Sequence, residues 1–328
     1  MTADLFECRA LTKHFPVKSV FREIARVHAV EEINLSIPEG ETVGLVGESG
    51  CGKTTLARML LMLIRPTSGT ILYRGTDLTR LGGRELRKFR RETAIVFQDP
   101  YSSLDPRMLI ADIVGEPLAI HKVAYGDDRD DIVLELLERV GLKTEHMYRY
   151  PHEFSGGQRQ RLAIARALAA DPRFILLDEA TSALDVSVQA KILNMLNALK
   201  AEFGLTYLFI SHDLSVIRHL SNRVGVMYVG EMVEYGTSEQ VFSHPTHPYT
   251  RGLLHAAPSL NPDDRDRRSE VALEGEVPSA VNPPPGCRFH PRCPSRRAGC
   301  DSAVPELVDI GDGHLVACCA EGRTHGGS

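Results

Sequence analysis

The chain has 328 residues, of which 43% are hydrophobic and 25% charged, and its formal net charge is −5. This composition is typical of a globular protein with a sizeable core, and the length suits two domains or one large domain with an appendage. The acidic balance argues against a nucleic-acid partner. No apolar run reaches the roughly 20 residues of a membrane span, and the N-terminus lacks a signal-peptide pattern, so we expect a cytoplasmic chain.

Short apolar runs alternate with amphipathic segments along most of the chain. Strands are predicted at residues 5–11, 27–30, 33–37, 42–46, 70–73, 94–97, 174–177 and 206–210, with a terminal hairpin at 224–235. Helices are predicted at residues 55–63, 84–91, 109–120, 130–140, 158–170 and 186–202. The basic segment 17–26 is predicted as a surface loop. Buried strands between helices predict a mostly parallel sheet covered on both faces, behind a small antiparallel β portion.

A phosphate-binding loop follows the strand at 42–46. Its residues are Gly47, Glu48, Ser49, Gly50, Cys51, Gly52, Lys53 and Thr54, with Thr55 next to them in the helix. A glycine, four residues and then Gly-Lys-Thr between a strand and a helix is the spacing of such loops. The glycines let backbone N–H groups converge on a phosphate at the helix N-terminus. Lys53 is predicted to reach the β- and γ-phosphates and Thr54 to hold Mg²⁺.

Acidic and polar residues stand where three other predicted strands end. Asp178 and Glu179 follow the strand at 174–177, where Asp178 suits Mg²⁺ and Glu179 could orient or deprotonate a water. The alternative is that Asp178 and Glu179 only cap the helix that follows, because acidic residues are common at helix starts. His212 follows the strand at 206–210 and could contact a γ-phosphate, although a Ser-His-Asp capping turn is the alternative. Gln98 ends the strand at 94–97.

A second candidate phosphate cradle opens the helix at 158–170. It consists of Ser155, Gly156, Gly157 and Gln158, which bring small residues, free amides and a hydroxyl to a helix N-terminus. One chain with a complete phosphate loop has no need of a second. The cradle therefore predicts a head-to-tail dimer in which each copy covers the nucleotide of the other.

In this order the segments resemble the ATP-binding subunits of ABC transporters, over about residues 5–255. The resemblance implies a Q-loop glutamine at Gln98, the signature at 155–158, a D-loop ending at Asp185, a catalytic Glu179 and a switch His212. It also implies that Mg-ATP is hydrolysed, with Mg²⁺ held through Thr54, Gln98 and Asp178 and with Phe15 stacked on adenine. The implied fold class is α/β: a P-loop NTPase core with an antiparallel β subdomain and a helical signature subdomain. Phe154 precedes the signature where the family usually has Leu.

Several segments resemble the dipeptide and oligopeptide importers in particular, most closely their F-type subunit. These segments are residues 11–17, 98–106, 247–250 and 282–287. The resemblance implies a heterodimer with a D-type ATPase, two transmembrane permease subunits contacting residues 98–110, and an extracytoplasmic binding protein. The chain would then lie peripherally on the cytoplasmic face of the membrane. Nickel chelates, glutathione and oligosaccharides remain alternative cargoes. A soluble ABC ATPase is disfavoured because the chain has one cassette, no heptad run and no basic face.

The last part of the chain has a different character. We predict an ATPase domain at 1–255, a linker at 256–286 and a cysteine-rich appendage at 287–328, which holds five of the seven cysteines. Clustered thiols in a cytoplasmic protein favour a soft-metal centre over disulfides. The resemblance implies a [4Fe–4S] cluster on Cys287, Cys293, Cys300 and Cys318, with Cys319 spare. Zinc and free thiols remain alternatives, although the gaps lack the CxxC pairs of zinc sites.

Overall fold

The computed structural model describes residues 3–19, 22–182, 184–256 and 274–319. The chain divides into two compact units that are interleaved along the sequence. The first unit comprises Met1–Ala3, Pro38–Thr42 and Arg80–Ser211. The second comprises Asp4–Ile37, Val43–Thr79 and His212–Ser328.

Within the described residues there are twelve strands and ten α-helices. The strands are β1 (Asp4–Ser19), β2 (Arg22–Pro38), β3 (Thr42–Val46), β4 (Ser68–Tyr73), β5 (Thr76–Asp77), β6 (Thr93–Val96), β7 (Phe174–Asp178), β8 (Thr206–Ile210), β9 (Arg223–Tyr228), β10 (Glu231–Thr237), β11 (Val308–Asp309) and β12 (Leu315–Val316). The helices are α1 (Lys53–Leu60), α2 (Gly83–Arg91), α3 (Pro100–Ser103), α4 (Ile110–Ile120), α5 (Gly126–Arg139), α6 (Gly156–Leu168), α7 (Val186–Phe203), α8 (Leu214–Leu220), α9 (Ser238–Ser243) and α10 (Pro248–Ala256). No described helix combines the length and the apolar character needed to cross a membrane.

The first unit is built on the parallel strands β6, β7 and β8. β7 lies between the other two, with Phe174 opposite both Thr93 and Thr206. Every residue of β7 and β8 is buried, which is the pattern of strands covered on both faces. Helices α4, α5 and α6 pack against one another and form the predicted helical portion. The carboxyl ends of β7 and β8 therefore lie side by side at one edge of the sheet.

The second unit contains an antiparallel sheet of β2, β1, β4 and β5, in that order. Its second set of strands pairs β3 in parallel with β9, and β9, β10, β12 and β11 follow in antiparallel pairs. Gly230 has a φ of 86° and occupies the predicted turn between β9 and β10. The fold class predicted from the sequence, an α/β core with an additional antiparallel sheet, is confirmed.

One predicted loop is wrong. Apart from residues 20 and 21, which lie outside the described residues, the basic segment at 17–26 belongs to two long strands, because β1 continues to Ser19 and β2 begins at Arg22. Its charged residues suggest a loop, but the segment also contains the β-branched residues Val17 and Ile24, which favour strands. The two predicted strands at 27–30 and 33–37 likewise form one strand, β2.

Within the second unit, the C-terminal segment is attached to β10 through Glu234, whose side chain is fully buried. Its carboxylate accepts hydrogen bonds from the backbone N–H groups of Thr246 (2.8 Å) and His247 (2.9 Å), and from Nε2 of His314 (2.7 Å). Burial alone would raise the pKa of Glu234, but these donors outweigh it and lower the pKa. Residues 257–273 of the predicted linker, and residues 320–328 of the predicted appendage, lie outside the described part of the chain.

Candidate functional site

The phosphate loop lies in the second unit, between buried β3 and α1. Gly47 and Gly52 have φ angles of 145° and 106°, a region that other residues rarely adopt. A Cβ on Gly47 would lie 2.2 Å from the carbonyl oxygen of Met227, and one on Gly52 would lie 2.1 Å from that of Ala29. The loop therefore passes so close to the neighbouring backbone that only glycine fits at these two positions.

Lys53 is folded over the loop, and only 7% of it is exposed. Its Nζ donates to the carbonyl oxygens of Gly47 (2.7 Å) and Glu48 (3.0 Å). Both acceptors are neutral, so a phosphate entering the loop would offer the ammonium a stronger, charge-assisted partner. Burial raises the pKa of the neighbouring Cys51 thiol against the lowering effect of Lys53, which makes this cysteine a poor nucleophile.

Phe15 lies on β1, and 38% of it is exposed. Nζ of Lys13 lies 5.0 Å from the centre of its ring. An exposed aromatic face of this kind can stack on a nucleotide base, which is the role that the family resemblance implies for Phe15.

His14, His28 and Glu31 form a cluster that sequence analysis did not find. The Glu31 carboxylate lies 3.1 Å from Nε2 of His14 and 2.7 Å from Nδ1 of His28. Its Oε2 also accepts a hydrogen bond from Nη2 of Arg288 at 3.1 Å. The three ligand-type atoms lie within 4.8 Å of one another. The positive charge of Arg288 is shared between this carboxylate and that of Glu231, whose Oε1 lies 2.8 Å from Nε of Arg288.

Asp178 and Glu179 lie in the first unit at the carboxyl end of β7. Asp178 is buried, whereas Glu179 is partly exposed and has a φ of 49°. The backbone N–H of Glu179 donates to the carbonyl of Ile210 (2.9 Å), and its carbonyl accepts from Oγ of Ser182 (2.9 Å). A left-handed conformation at a residue other than glycine costs of order 1 kcal/mol and is concentrated at functional sites. Sequence analysis gave no sign of this conformation.

The second cradle lies at a helix N-terminus, but α6 begins at Gly156, two residues before the predicted start at 158, and two of the amides predicted to be free are hydrogen-bonded. Ser155 caps α6: its Oγ accepts from the N–H of Gln158 (3.4 Å), while Oε1 of Gln158 accepts from the N–H of Ser155 (3.0 Å). Ser155 and Gly156 are exposed. A Cβ on Gly157 would lie 2.5 Å from Cγ1 of Val188, so this position must stay small.

A cavity of about 130 Å³ in the first unit brings several predicted residues together. Its lining includes Gln98, Gly156 of the cradle, Ala180 and Leu184. Gln98 thus lies near the signature and near the residues that follow Glu179.

Asp185 is exposed at the N-cap of α7, while Ala183 of the D-loop lies outside the described residues. The phosphate loop, Phe15 and His212 belong to the second unit, where His212 is exposed just before α8.

The cysteines near the C-terminus approach one another, and all seven cysteines are free. The backbone N–H of Cys287 donates to the carbonyl of Cys300 (2.9 Å). Burial, with smaller contributions from the thiols of Cys319, Cys318 and Cys293, raises the pKa of the Cys287 thiol to about 12, although a hydrogen bond from the backbone of Phe289 acts in the opposite direction. In the described chain no three cysteine sulfurs lie within 4.8 Å of one another. Tetrahedral zinc at 2.3 Å from each sulfur would need them about 3.8 Å apart.

Two family models match the chain: "ABC transporter" over residues 30–182, and "Oligopeptide/dipeptide transporter, C-terminal region" over residues 233–300. The chain is 49% identical to the dipeptide transport ATP-binding protein DppF of Escherichia coli, over 96% of this chain and 94% of that protein. It is 47% identical to the oligopeptide transport ATP-binding protein AppF of Bacillus subtilis, over 96% of both chains.

Among solved structures, the chain is similar to a dimeric ATP-binding cassette in a post-hydrolysis state with ADP and Pi. The identity is 32% and the TM-score 0.64, and the match covers 71% of this chain and 98% of the cassette. The fold is that of an ABC ATPase cassette. With the two family models and relatives matched over nearly their whole length, the chain belongs to the ABC transporter ATPases, in the family of oligopeptide and dipeptide transporter ATP-binding proteins.

Proposed function

We propose that this chain hydrolyses ATP to drive a binding-protein-dependent importer of dipeptides or oligopeptides. The observation that carries the proposal is the combination, in one chain, of a complete phosphate loop and the C-terminal region of the oligopeptide and dipeptide transporters. Relatives that share both parts are named for peptide transport.

The proposed chemistry assigns one task to each polar residue of the site. Lys53 and the loop amides bind the phosphates, while Thr54, Gln98 and Asp178 hold Mg²⁺. Glu179 orients and deprotonates the attacking water, and His212 contacts the γ-phosphate. The exposed ring of Phe15 supports adenine stacking, and the partly exposed position of Glu179 at the carboxyl end of β7 supports a role in activating water.

The second ATPase of the motor is proposed to be a D-type paralogue, arranged head to tail with this chain. In that arrangement Ser155, Gly156, Gly157, Gln158 and Asp185 face the nucleotide of the partner. The exposure of Ser155 and Gly156 at the start of α6 supports this, because the N-terminus of a helix attracts a phosphate.

The contact with the permeases is proposed to involve residues 98–110. Beside this segment the first unit has a cavity of about 220 Å³, lined by Ser103 and by apolar residues that include Ile95, Phe97 and Ile120. A short amphipathic helix of a membrane subunit would suit such a groove. The chain would then be held peripherally at the cytoplasmic face of the membrane by its permease partners.

Purification of the tagged chain from gently solubilised native membranes tests this function. We expect two polytopic permeases and a second ATPase to co-purify, and the companion binding protein to bind peptides. Binding of nickel chelates, glutathione or oligosaccharides instead would change the cargo but keep the importer. A chain that co-purifies with ribosomes or DNA would contradict the transport function.

We further propose that Cys287, Cys293, Cys300 and Cys318 hold a [4Fe–4S] cluster. The cluster would cross-link the C-terminal segment between residues 287 and 318. The backbone hydrogen bond from Cys287 to Cys300 (2.9 Å) supports a shared ligand, because it brings two of the four cysteines together.

Metal analysis of the anaerobically purified chain checks this proposal. We expect about four iron atoms and four acid-labile sulfides per chain. The variant Cys318→Ser should lose most of this iron, whereas Cys319→Ser and the distant control Cys8→Ser should retain it. Stoichiometric zinc without sulfide would contradict the cluster, and loss of iron in Cys319→Ser but not in Cys318→Ser would reassign the fourth ligand.

A further inference from the structure

The phosphate loop carries a carboxylate, Glu48, at its second position. The backbone carbonyl of Glu48 lies 3.0 Å from Nζ of Lys53, the group that meets the phosphates. A nucleoside triphosphate bound here brings several negative charges close to this residue. An unbalanced carboxylate at this position would therefore repel the ligand.

Arg292, 244 positions away in the sequence, pairs with this carboxylate through a two-pronged contact. Nη1 lies 2.8 Å from Oε2 of Glu48 and Nη2 lies 3.1 Å from Oε1. Only 5% of the Arg292 side chain is exposed. Paired, planar contacts between a guanidinium and a carboxylate are among the strongest hydrogen-bonded ion pairs, and burial shields them from salt.

The guanidinium of Arg292 is itself fixed by its surroundings. Its Nε donates to the carbonyl of Glu274 (3.2 Å), and Nη1 also donates to the hydroxyl of Tyr228 (3.3 Å). Phe289, on the same turn, packs edge-on against the ring of Tyr228 at a centroid distance of 5.2 Å. The arginine is thus held in place before any nucleotide binds, and its contact with Glu48 costs little additional ordering.

A second anchor holds the backbone of the same loop residue. The N–H of Glu48 donates to the hydroxyl of Tyr249 at 2.8 Å, and Tyr249 stacks obliquely on Tyr228 at 4.6 Å. Residues 247–250 and the segment around Cys287 are two motifs to which the sequence assigns no task at the ATP site. In the structure both motifs contact Glu48. Tyr249 of the first motif binds its backbone N–H, and Arg292, which follows Cys287, binds its carboxylate.

We propose that Arg292 is a positioning residue of the ATP site, which neutralises Glu48 and turns its carboxylate away from the bound phosphates. The C-terminal region thereby contributes to ATP affinity without touching the nucleotide. The contribution of Arg292 to nucleotide affinity grows with the number of phosphates, because the repulsion between Glu48 and the phosphates that it removes is electrostatic. The inference rests on the phosphate loop being the ATP site, which ATP binding by the unmodified chain establishes separately.

Calorimetric titration of the full chain with ATP, ADP and AMP tests the proposal. Arg292→Gln is expected to weaken ATP binding about tenfold at low salt, ADP less and AMP hardly at all. The loss should shrink at high salt, because the exposed carboxylate is then screened. Arg296→Gln is the matched control, since Arg296 lies in the same segment but makes an exposed ion pair with Asp301 (2.8 Å).

The double variant E48Q/R292Q separates charge from structure. With the carboxylate removed there is nothing to neutralise, so we expect its ATP affinity to return to within about twofold of E48Q alone. Equal weakening of ATP and AMP in R292Q, or no recovery in the double variant, would show that Arg292 acts only by packing and would overturn the proposal. If R292Q does not fold, Arg292→Met, which keeps an unbranched apolar stem but removes the charge, gives the same comparison of ATP with AMP.

Discussion

Replacing Glu179 by Gln is expected to reduce ATP turnover by a factor of about 10² to 10⁴ while ATP stays bound. Glutamine has the same shape and keeps the backbone turn, but it cannot accept a proton from the attacking water. The left-handed conformation of Glu179 places no demand on the carboxylate, because the N–H and carbonyl groups make the local hydrogen bonds to Ile210 and Ser182. The measurement is phosphate release by the assembled transporter, together with the nucleotide retained after gel filtration.

Glu145→Gln provides the matched control for this variant. Glu145 also belongs to the first unit, but the ion pairs that it makes with Lys143 (3.6 Å) and Arg149 (3.9 Å) are long. The ATP turnover of Glu145→Gln should therefore match that of the unmodified protein. Unchanged turnover in Glu179→Gln would mean that the residue serves only as a turn, and another group would have to activate the water.

The parts of the fold that could be predicted are those specified by neighbouring residues. The limits predicted for β3 and β8 match the observed Thr42–Val46 and Thr206–Ile210, because each strand is a run of five buried residues between clear breaks. The signature helix and its capping box are equally local, since Ser155 and Gln158 complete each other within one turn. The phosphate loop belongs to the same class, because its glycines indicate positive φ angles.

Features that depend on distant parts of the chain were not predictable. Nothing near Arg292 in the sequence indicates that it pairs with Glu48. Likewise, nothing near His314 indicates that it pairs with Glu234. The two-residue strands β11 and β12 have no propensity signal, because they exist only through pairing with β10 and with each other. The length of β1 and β2 depends in the same way on their mutual pairing, which compensates for the charged residues that predicted a loop.

These long-range contacts share one physical pattern. A charged or polar group that is buried must find a partner, and the partner can come from anywhere in the chain. Glu234 and Glu48 each find theirs in the C-terminal region, at His314 and Arg292. Arg292 lies within residues 233–300, the region whose family model names oligopeptide and dipeptide transporters. Its contact with Glu48 ties that region to the phosphate loop, which is a structural reason for the two to occur in one chain.

Replacing Gly52 by Ala is expected to lower ATP affinity more than about a hundredfold and to destabilise the fold by about 3 kcal/mol. The new Cβ would lie 2.1 Å from the carbonyl oxygen of Ala29, which is backbone and cannot rotate away, and the φ of 106° is unfavourable for alanine. The loop must shift to relieve both problems, and its N–H groups then no longer converge on a phosphate. Calorimetric titration with ATP and urea denaturation measure the two effects.

Gly75→Ala separates the strain from the clash. Gly75 has a φ of 77° and no neighbouring atom within 4 Å of the position that a Cβ would occupy, so alanine there meets the backbone penalty alone, about 1 kcal/mol, and ATP affinity should stay unchanged. ATP binding by Gly52→Ala at the level of the unmodified chain would mean that the loop tolerates displacement from Ala29. In that case the convergence of its amides would be set by the phosphate rather than by the strand β2 behind it, and the loop would be formed by its ligand instead of being ready for it.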